Sequence, residues 1–230
     1  IGRRTGYTPG MITGFKVGWR GLRHFFGQGW VYVWANVLWI ALSVPIVTAP
    51  AAWAGLCQFS YHALRQPTSS FSEFWKGFRA HWRGGIVVSF IGVGLVVITF
   101  LNLLGFSRET GIAAAALRVL WIVIVLGWFG LQLYAFPLLP AMKEPALRGS
   151  YRNAGVMFLR HPFFTLGLWL FCAPIILLSI ALPAAWLLIT GGLLAAIGNV
   201  AVQDRLRAEG FEPEPLPEPE AAEPHWDGVS

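Results

Sequence analysis

Four long stretches without Asp, Glu, Lys or Arg divide the chain, at residues 25–64, 84–107, 119–142 and 161–203. A crossing of the hydrocarbon layer takes about 20 apolar residues. The second and third stretches hold one helix each, and the fourth holds two, divided at Pro183. In the first, Pro45 and Pro50 bracket Thr48, a break that ends one helix and opens another. The pattern therefore predicts a helical hairpin, 30–43 and 50–64, followed by spans at 84–104, 119–140, 163–182 and 184–202. The expected fold is all-α, a polytopic membrane protein with six transmembrane helices. The run from Trp30 to Val47 exceeds the roughly 7–15 residues of a signal-peptide core, so it reads as part of the fold.

Helical spacing continues outside these runs. Met11, Phe15, Trp19, Leu22 and Phe26 share one sector of a helix, with Lys16, Arg20, Arg23 and His24 beside it. Lipid anchoring at the inner interface, a partner helix or a simple anchor for the first span all use such a pattern. From Ser69 to Arg83, serines followed by Glu73 resemble a helix cap, and Phe71, Phe74, Trp75, Phe78 and Trp82 form a stripe flanked by Lys76, Arg79 and Arg83. Two cytoplasmic interfacial amphipathic helices are thus expected. A weaker echo, Tyr151 to His161, precedes the fifth span and would suit two related halves, or any basic connection entering a bilayer.

Composition agrees with lipid as the main solvent. Of 230 residues, 56% are hydrophobic and only 12% charged, against about 25% charged in an ordinary soluble domain. Charge also orients the chain. Eight of the eleven acids follow residue 203. Fifteen of the seventeen Lys and Arg fall before the hairpin, after it, around Arg152 or after the last span, leaving Arg108 and Arg118 apart. Both termini are therefore expected on the cytoplasmic side, in a bacterial inner membrane. The expected organisation is a basic segment 1–28, a membrane domain 29–203 and a disordered Pro/Glu-rich tail 204–230, with Phe211, Leu216 and Trp226 as its only docking anchors.

Chemistry is scarce. His62 lies near the end of the second span, and His24, His81, His161 and His225 show no metal-ligand spacing. Cys57 and Cys172 sit in apolar runs as small hydrophobes. Asn36, Asn102, Gln132 and Asn199 suit interhelical hydrogen bonds better than a solute pathway, and Arg118 suits snorkelling. No catalytic residue, cofactor, metal or nucleic-acid partner is expected, and the chain reads as a non-enzyme.

The first hairpin does carry a resemblance. Asn36-Val37-Leu38-Trp39, the break Ser43-Val44-Pro45-Ile46-Val47-Thr48, the small-residue start Ala51 to Leu56, and Phe74-Trp75-Lys76-Gly77-Phe78-Arg79 resemble the YesL family of bacterial multi-span membrane proteins, over about residues 22–90. That resemblance implies an accessory role near carbohydrate importers of the ATP-binding-cassette type. Asn36, Trp39, Pro45 and Thr48 are expected to form a structural motif, with the Thr48 hydroxyl accepting from amides that open the second helix. Phe74, Trp75, Phe78, Arg79 and Trp82 are the expected partner-binding face. The functional expectation is a non-catalytic accessory or assembly subunit held in the bilayer beside an integral membrane partner. A small-solute transporter or channel lined by the proline breaks is the alternative, and a lipid-handling enzyme a more distant one.

Overall fold

A computed structural model describes residues 10–66 and 70–211 of the chain. Its regular elements among these residues are helical: α1 Met11–Gln28, α2 Trp30–Ser43, α3 Ala49–Ala63, α4 Phe71–Gly105, α5 Ile112–Leu138, α6 Leu147–Arg160, α7 Pro162–Ala181, α8 Pro183–Ala185 and α9 Gly191–Ala208. A short 3₁₀ turn, Leu139–Ala141, follows α5, and a π-helical stretch, Trp186–Thr190, joins α8 to α9.

Among the described residues, four helical rods are long and apolar enough to cross a membrane: Phe71–Gly105, Ile112–Ala141, Pro162–Ala181 and Pro183–Ala208. The bent pair α1 and α2, which meet at 101°, would make a fifth if counted as one span. The protein is a multi-pass membrane protein with four or five candidate spans among the described residues. Two of the six expected crossings fall short of that length. At 14 and 15 residues, α2 and α3 each rise only about 21–22 Å, against roughly 30 Å of hydrocarbon.

Pro45 and Pro50 act as punctuation, as expected, whereas Pro137 and Pro174 lie inside α5 and α7 and break neither. α2 ends at Ser43 before Pro45, and Pro50 occupies the first turn of α3. The expected boundary at residue 84 is absent. The segment expected as a separate interfacial helix is the first part of α4, which runs unbroken for 35 residues, because glycine keeps its amide donor and leaves the hydrogen-bond ladder intact. The later echo does break, at His161 (φ −130°, ψ 58°), because Pro162 disfavours helix in the residue ahead of it.

α3 packs antiparallel against α4, and three close approaches set the pairing. A Cβ on Gly55 would stand 2.7 Å from the Phe74 carbonyl oxygen, one on Gly77 2.6 Å from Gln58 Cβ, and one on Gly85 2.9 Å from the Ala51 nitrogen. α3 thus lies along the charged half of α4 rather than its apolar half. The face α1 buries is Gly14, Val17, Gly18, Gly21 and Phe25, set into α7 and α9, while its aromatics Phe15, Trp19 and Phe26 remain exposed. α9 is the centre of the bundle, with Leu193, Ala195, Ala196, Ile197, Ala201 and Val202 buried. It continues past the expected boundary at residue 203, because Asp204 pairs with Arg20 and the Arg205 guanidinium lies 4.2 Å from the centre of the Phe164 ring. The remainder of the expected tail, 212–230, lies outside the described residues, as do Arg3 and Arg4.

Candidate functional site

The hairpin break and the start of α4 hold the residues singled out from sequence, and the structure divides them into two groups. Asn36 and Trp39 face the π-helical stretch. Asn36 is fully buried, donates Nδ2–H to the carbonyls of Trp186 (3.0 Å) and Leu187 (2.6 Å), and accepts from the Gly192 amide at 2.8 Å. A π-turn displaces carbonyls from the α-helical ladder. Here a single amide side chain on another helix takes up two of them. Trp39 packs between Trp53 and Trp186, with ring centroids 5.8 and 6.1 Å away. Nearby, Thr190 Oγ1 meets Ser179 Oγ at 2.5 Å, and Tyr32 meets Ser60 at 3.0 Å. These contacts make α2 an integral wall of the bundle.

The break itself is closed from within. Thr48 donates its hydroxyl back to the Leu42 carbonyl and does not cap α3, since its backbone is helical (φ −91°, ψ −8°) and its oxygen faces the preceding turn. That corrects the expected capping role. Ser43 Oγ donates to the Trp39 carbonyl at 2.7 Å, and Ser89 on α4 donates to the Ile46 carbonyl at 2.9 Å. Ile46 carries a left-handed backbone (φ 63°), uncommon for a β-branched residue. Pro45 is exposed beside it. Ser89 belongs to this motif yet was not singled out from sequence, because one serine in an apolar run carries no partner information.

The expected docking stripe is split by α3. Phe74 is fully buried and Phe78 half-buried in the core, whereas Trp75, Arg79 and Trp82 are exposed. Arg79 lies 5.9 Å from the centre of the Trp75 ring and Arg83 5.3 Å from that of Trp82, so each exposed indole carries a cation beside it. The base of this face is pinned by Glu73, which bonds Lys76 at 2.6 Å and His62 at 3.0 Å. Burial lowers the His62 pKa from its ordinary value, against the opposing pull of the Glu73 carboxylate. The imidazole therefore leans toward its neutral form.

The other polar residues settle locally. Asn199 donates to the Cys57 carbonyl at 3.1 Å and Gln132 accepts from the Tyr151 hydroxyl at 2.5 Å, both between helices, while Asn102 and Arg118 bond carbonyls of their own or neighbouring turns. Cys57 and Cys172 are free and buried. Among the described residues there is no cluster of three His, Cys, Asp or Glu able to hold a metal ion. At the C-terminal end of α9, Glu209 meets Arg160 at 3.3 Å and His161 at 3.2 Å, beside a concavity of about 300 Å³ that also contacts Asn153, Met157 and Arg205.

A family model described as "Protein of unknown function, DUF624" matches residues 32–103, from Tyr32 in α2 to Leu103 near the end of α4. The hairpin and α4 are similar to that family. The match covers Asn36 but not its bridge partners Trp186, Leu187 and Gly192, together with the Pro45–Thr48 break and the whole exposed face from Trp75 to Arg83. No curated protein and no solved structure matches the chain.

Proposed function

We propose that this protein is a non-catalytic accessory or assembly subunit of a bacterial membrane complex, whose docking face is Trp75, Arg79, Trp82 and Arg83 on the first half of α4. The continuity of α4 carries this reading. Thirty-five residues rise about 52 Å, some 20 Å more than the hydrocarbon layer needs. The uncharged second half is long enough to cross, which leaves the charged first half as a rigid extension of a span. Such an extension cannot lie flat in the interface as a separate anchoring helix does. Its exposed Trp and Arg are the residue types that dominate protein interfaces. The resemblance to YesL-like proteins implies a carbohydrate importer of the ATP-binding-cassette type as the partner; the DUF624 match overlaps the residues that carry it and names no partner.

The topology that fits this reading has four full crossings, α4, α5, α7 and the rod from α8 through α9, with the α2–α3 hairpin entering beside them from the cytoplasmic side and returning, its Asn36 level with Trp186 and Leu187 near the outer end of that rod. An even number of crossings keeps both termini on one side. The 15 basic residues assigned above then remain cytoplasmic, in a bacterial inner membrane.

One observation favours the transporter reading: a π-turn inside a membrane rod is backbone freed from the α-helical ladder, as in discontinuous transporter helices. Two of its carbonyls, however, are occupied by Asn36. Copurification from native membranes with wild-type protein and with the Trp75→Ala/Trp82→Ala variant tests the proposal. A membrane protein retained by the first and lost by the second supports docking. Equal retention, or solute flux by the purified chain in liposomes, overturns it.

A further inference from the structure

A groove of about 620 Å³ runs between α1, α7 and the end of α9, lined by Thr13, Phe15, Lys16, Trp19, Arg20, Phe171 and Asp204. That volume falls within the roughly 300–1,000 Å³ usual for small-molecule sites. Helical spacing sorts the lining into two rails on α1. Thr13, Lys16 and Arg20 form the polar one, and Phe15 and Trp19, one turn apart, the apolar one. The floor is the Phe171 ring, edge-on to Phe15 at 6.1 Å between centroids. Gly18 lets this ring reach the α1 backbone, since a Cβ there would overlap it.

Charge on the polar rail is uneven. Arg20 is committed to Asp204, which in turn meets Arg205 at 2.5 Å. Lys16, exposed, has no acidic partner among the described residues. A cation therefore stands beside an open aromatic trough, on the flank of a span whose outward residues Phe163, Leu166 and Leu170 are exposed apolar groups. A soluble anion would use the charge but leave the Phe15, Trp19 and Phe171 surfaces wet. A neutral lipid would fill the trough and leave Lys16 without a counter-charge.

We infer that this groove is a binding site for one anionic phospholipid, with Lys16 and Thr13 meeting the phosphate and the Phe15–Trp19–Phe171 trough holding the upper acyl chain. Basic concavities between membrane helices on the cytoplasmic side suit acidic headgroups. This site lies on α1 and α7, apart from the docking face on α4, and it stands or falls independently of that face.

The full-length chain in detergent, stripped of lipid and titrated with dioleoylphosphatidylglycerol while thermal unfolding is followed, provides the test. Dioleoylphosphatidylcholine and inorganic phosphate serve as parallel titrants. The site predicts saturable stabilisation by phosphatidylglycerol, with less from the other two. Removing one cation from a membrane-surface contact is worth about fivefold in affinity and reversing it about thirtyfold. Lys16→Gln and Lys16→Glu should weaken phosphatidylglycerol by those factors, and Lys16→Arg should restore it. Arg23→Glu, on the same helix but outside the groove, separates a site from diffuse attraction. It should bind nearly as wild type does, and a loss equal to that of Lys16→Glu would overturn the inference. Equal stabilisation by phosphate alone, or by phosphatidylcholine, would overturn it as well.

Discussion

The Asn36 carboxamide oxygen accepts the Gly192 amide at 2.8 Å across 156 positions of chain, while its nitrogen serves the carbonyls of Trp186 and Leu187. One side chain thus satisfies two carbonyls within the π-turn and an amide just past it, and ties α2 to the central rod. A buried group left without its partner costs about 1–3 kcal/mol. Asn36→Leu should therefore lower thermal stability in detergent by several degrees or abolish folded yield. Asn36→Asp, which keeps the acceptor but turns the other oxygen on two carbonyls, should be at least as damaging. A wild-type melting temperature for either variant would remove the bridge from the account.

Thr48 acts as a donor. Its hydroxyl reaches back to the Leu42 carbonyl, so Ser should replace it freely, and Val should cost about 1 kcal/mol, the usual worth of one hydrogen bond. Thr48→Asp discriminates the two roles, because an ionised carboxylate suits an N-cap but cannot donate. Folded yield and melting temperature should rank Thr and Ser above Val, with Asp lowest. An Asp variant as stable as wild type would restore the capping role.

Contact between α3 and α4 depends on missing side chains. Gly55→Val or Gly77→Leu must push the helices apart, a distortion costing typically 1–3 kcal/mol. Gly94 has nothing within 4 Å of where its Cβ would stand, so Gly94→Ala should be neutral or stabilising by up to about 1 kcal/mol. Melting curves of the three variants check the pairing.

How much of this was legible before the fold was seen depended on which residues carry one meaning. Pro45, Pro50, Pro162 and Pro183 each stand at a helix boundary, whereas Pro137 and Pro174 lie inside α5 and α7, so even proline needs its context. The boundary expected at residue 84 rested on where charge ends after Arg83, and α4 runs through it, because a change from charged to apolar residues does not interrupt a helix. α1 misled in a related way. Its aromatic stripe marked the obvious face, yet the buried face is built from Gly14, Gly18 and Gly21, to which hydrophobic periodicity is nearly blind. The same blindness joined Phe74 to Trp75 in a single stripe. Only the position of α3 shows that the first is core and the second surface. Asn36 could be read as an interhelical bond former, but its partners lie 150 and more residues away and are backbone groups with no sequence signature.

Cysteine accessibility in intact cells decides the topology. Four crossings with a re-entrant α2–α3 hairpin predict that Ser70→Cys stays unlabelled by an impermeant reagent applied outside, whereas Arg108→Cys is labelled. Labelling of Ser70→Cys from outside, or protection of Arg108→Cys, would contradict this topology.

The central claim is that the charged half of α4 holds a protein partner, and photo-crosslinking tests it at the residues concerned. A photoreactive amino acid placed at Trp75 or Arg79, with Ile122 on the exposed apolar face of α5 as the control, is irradiated in native membranes. The account predicts a discrete adduct of one added membrane protein from positions 75 and 79, weakened by Trp82→Ala, and lipid adducts alone from position 122. Lipid adducts alone from all three positions would contradict it.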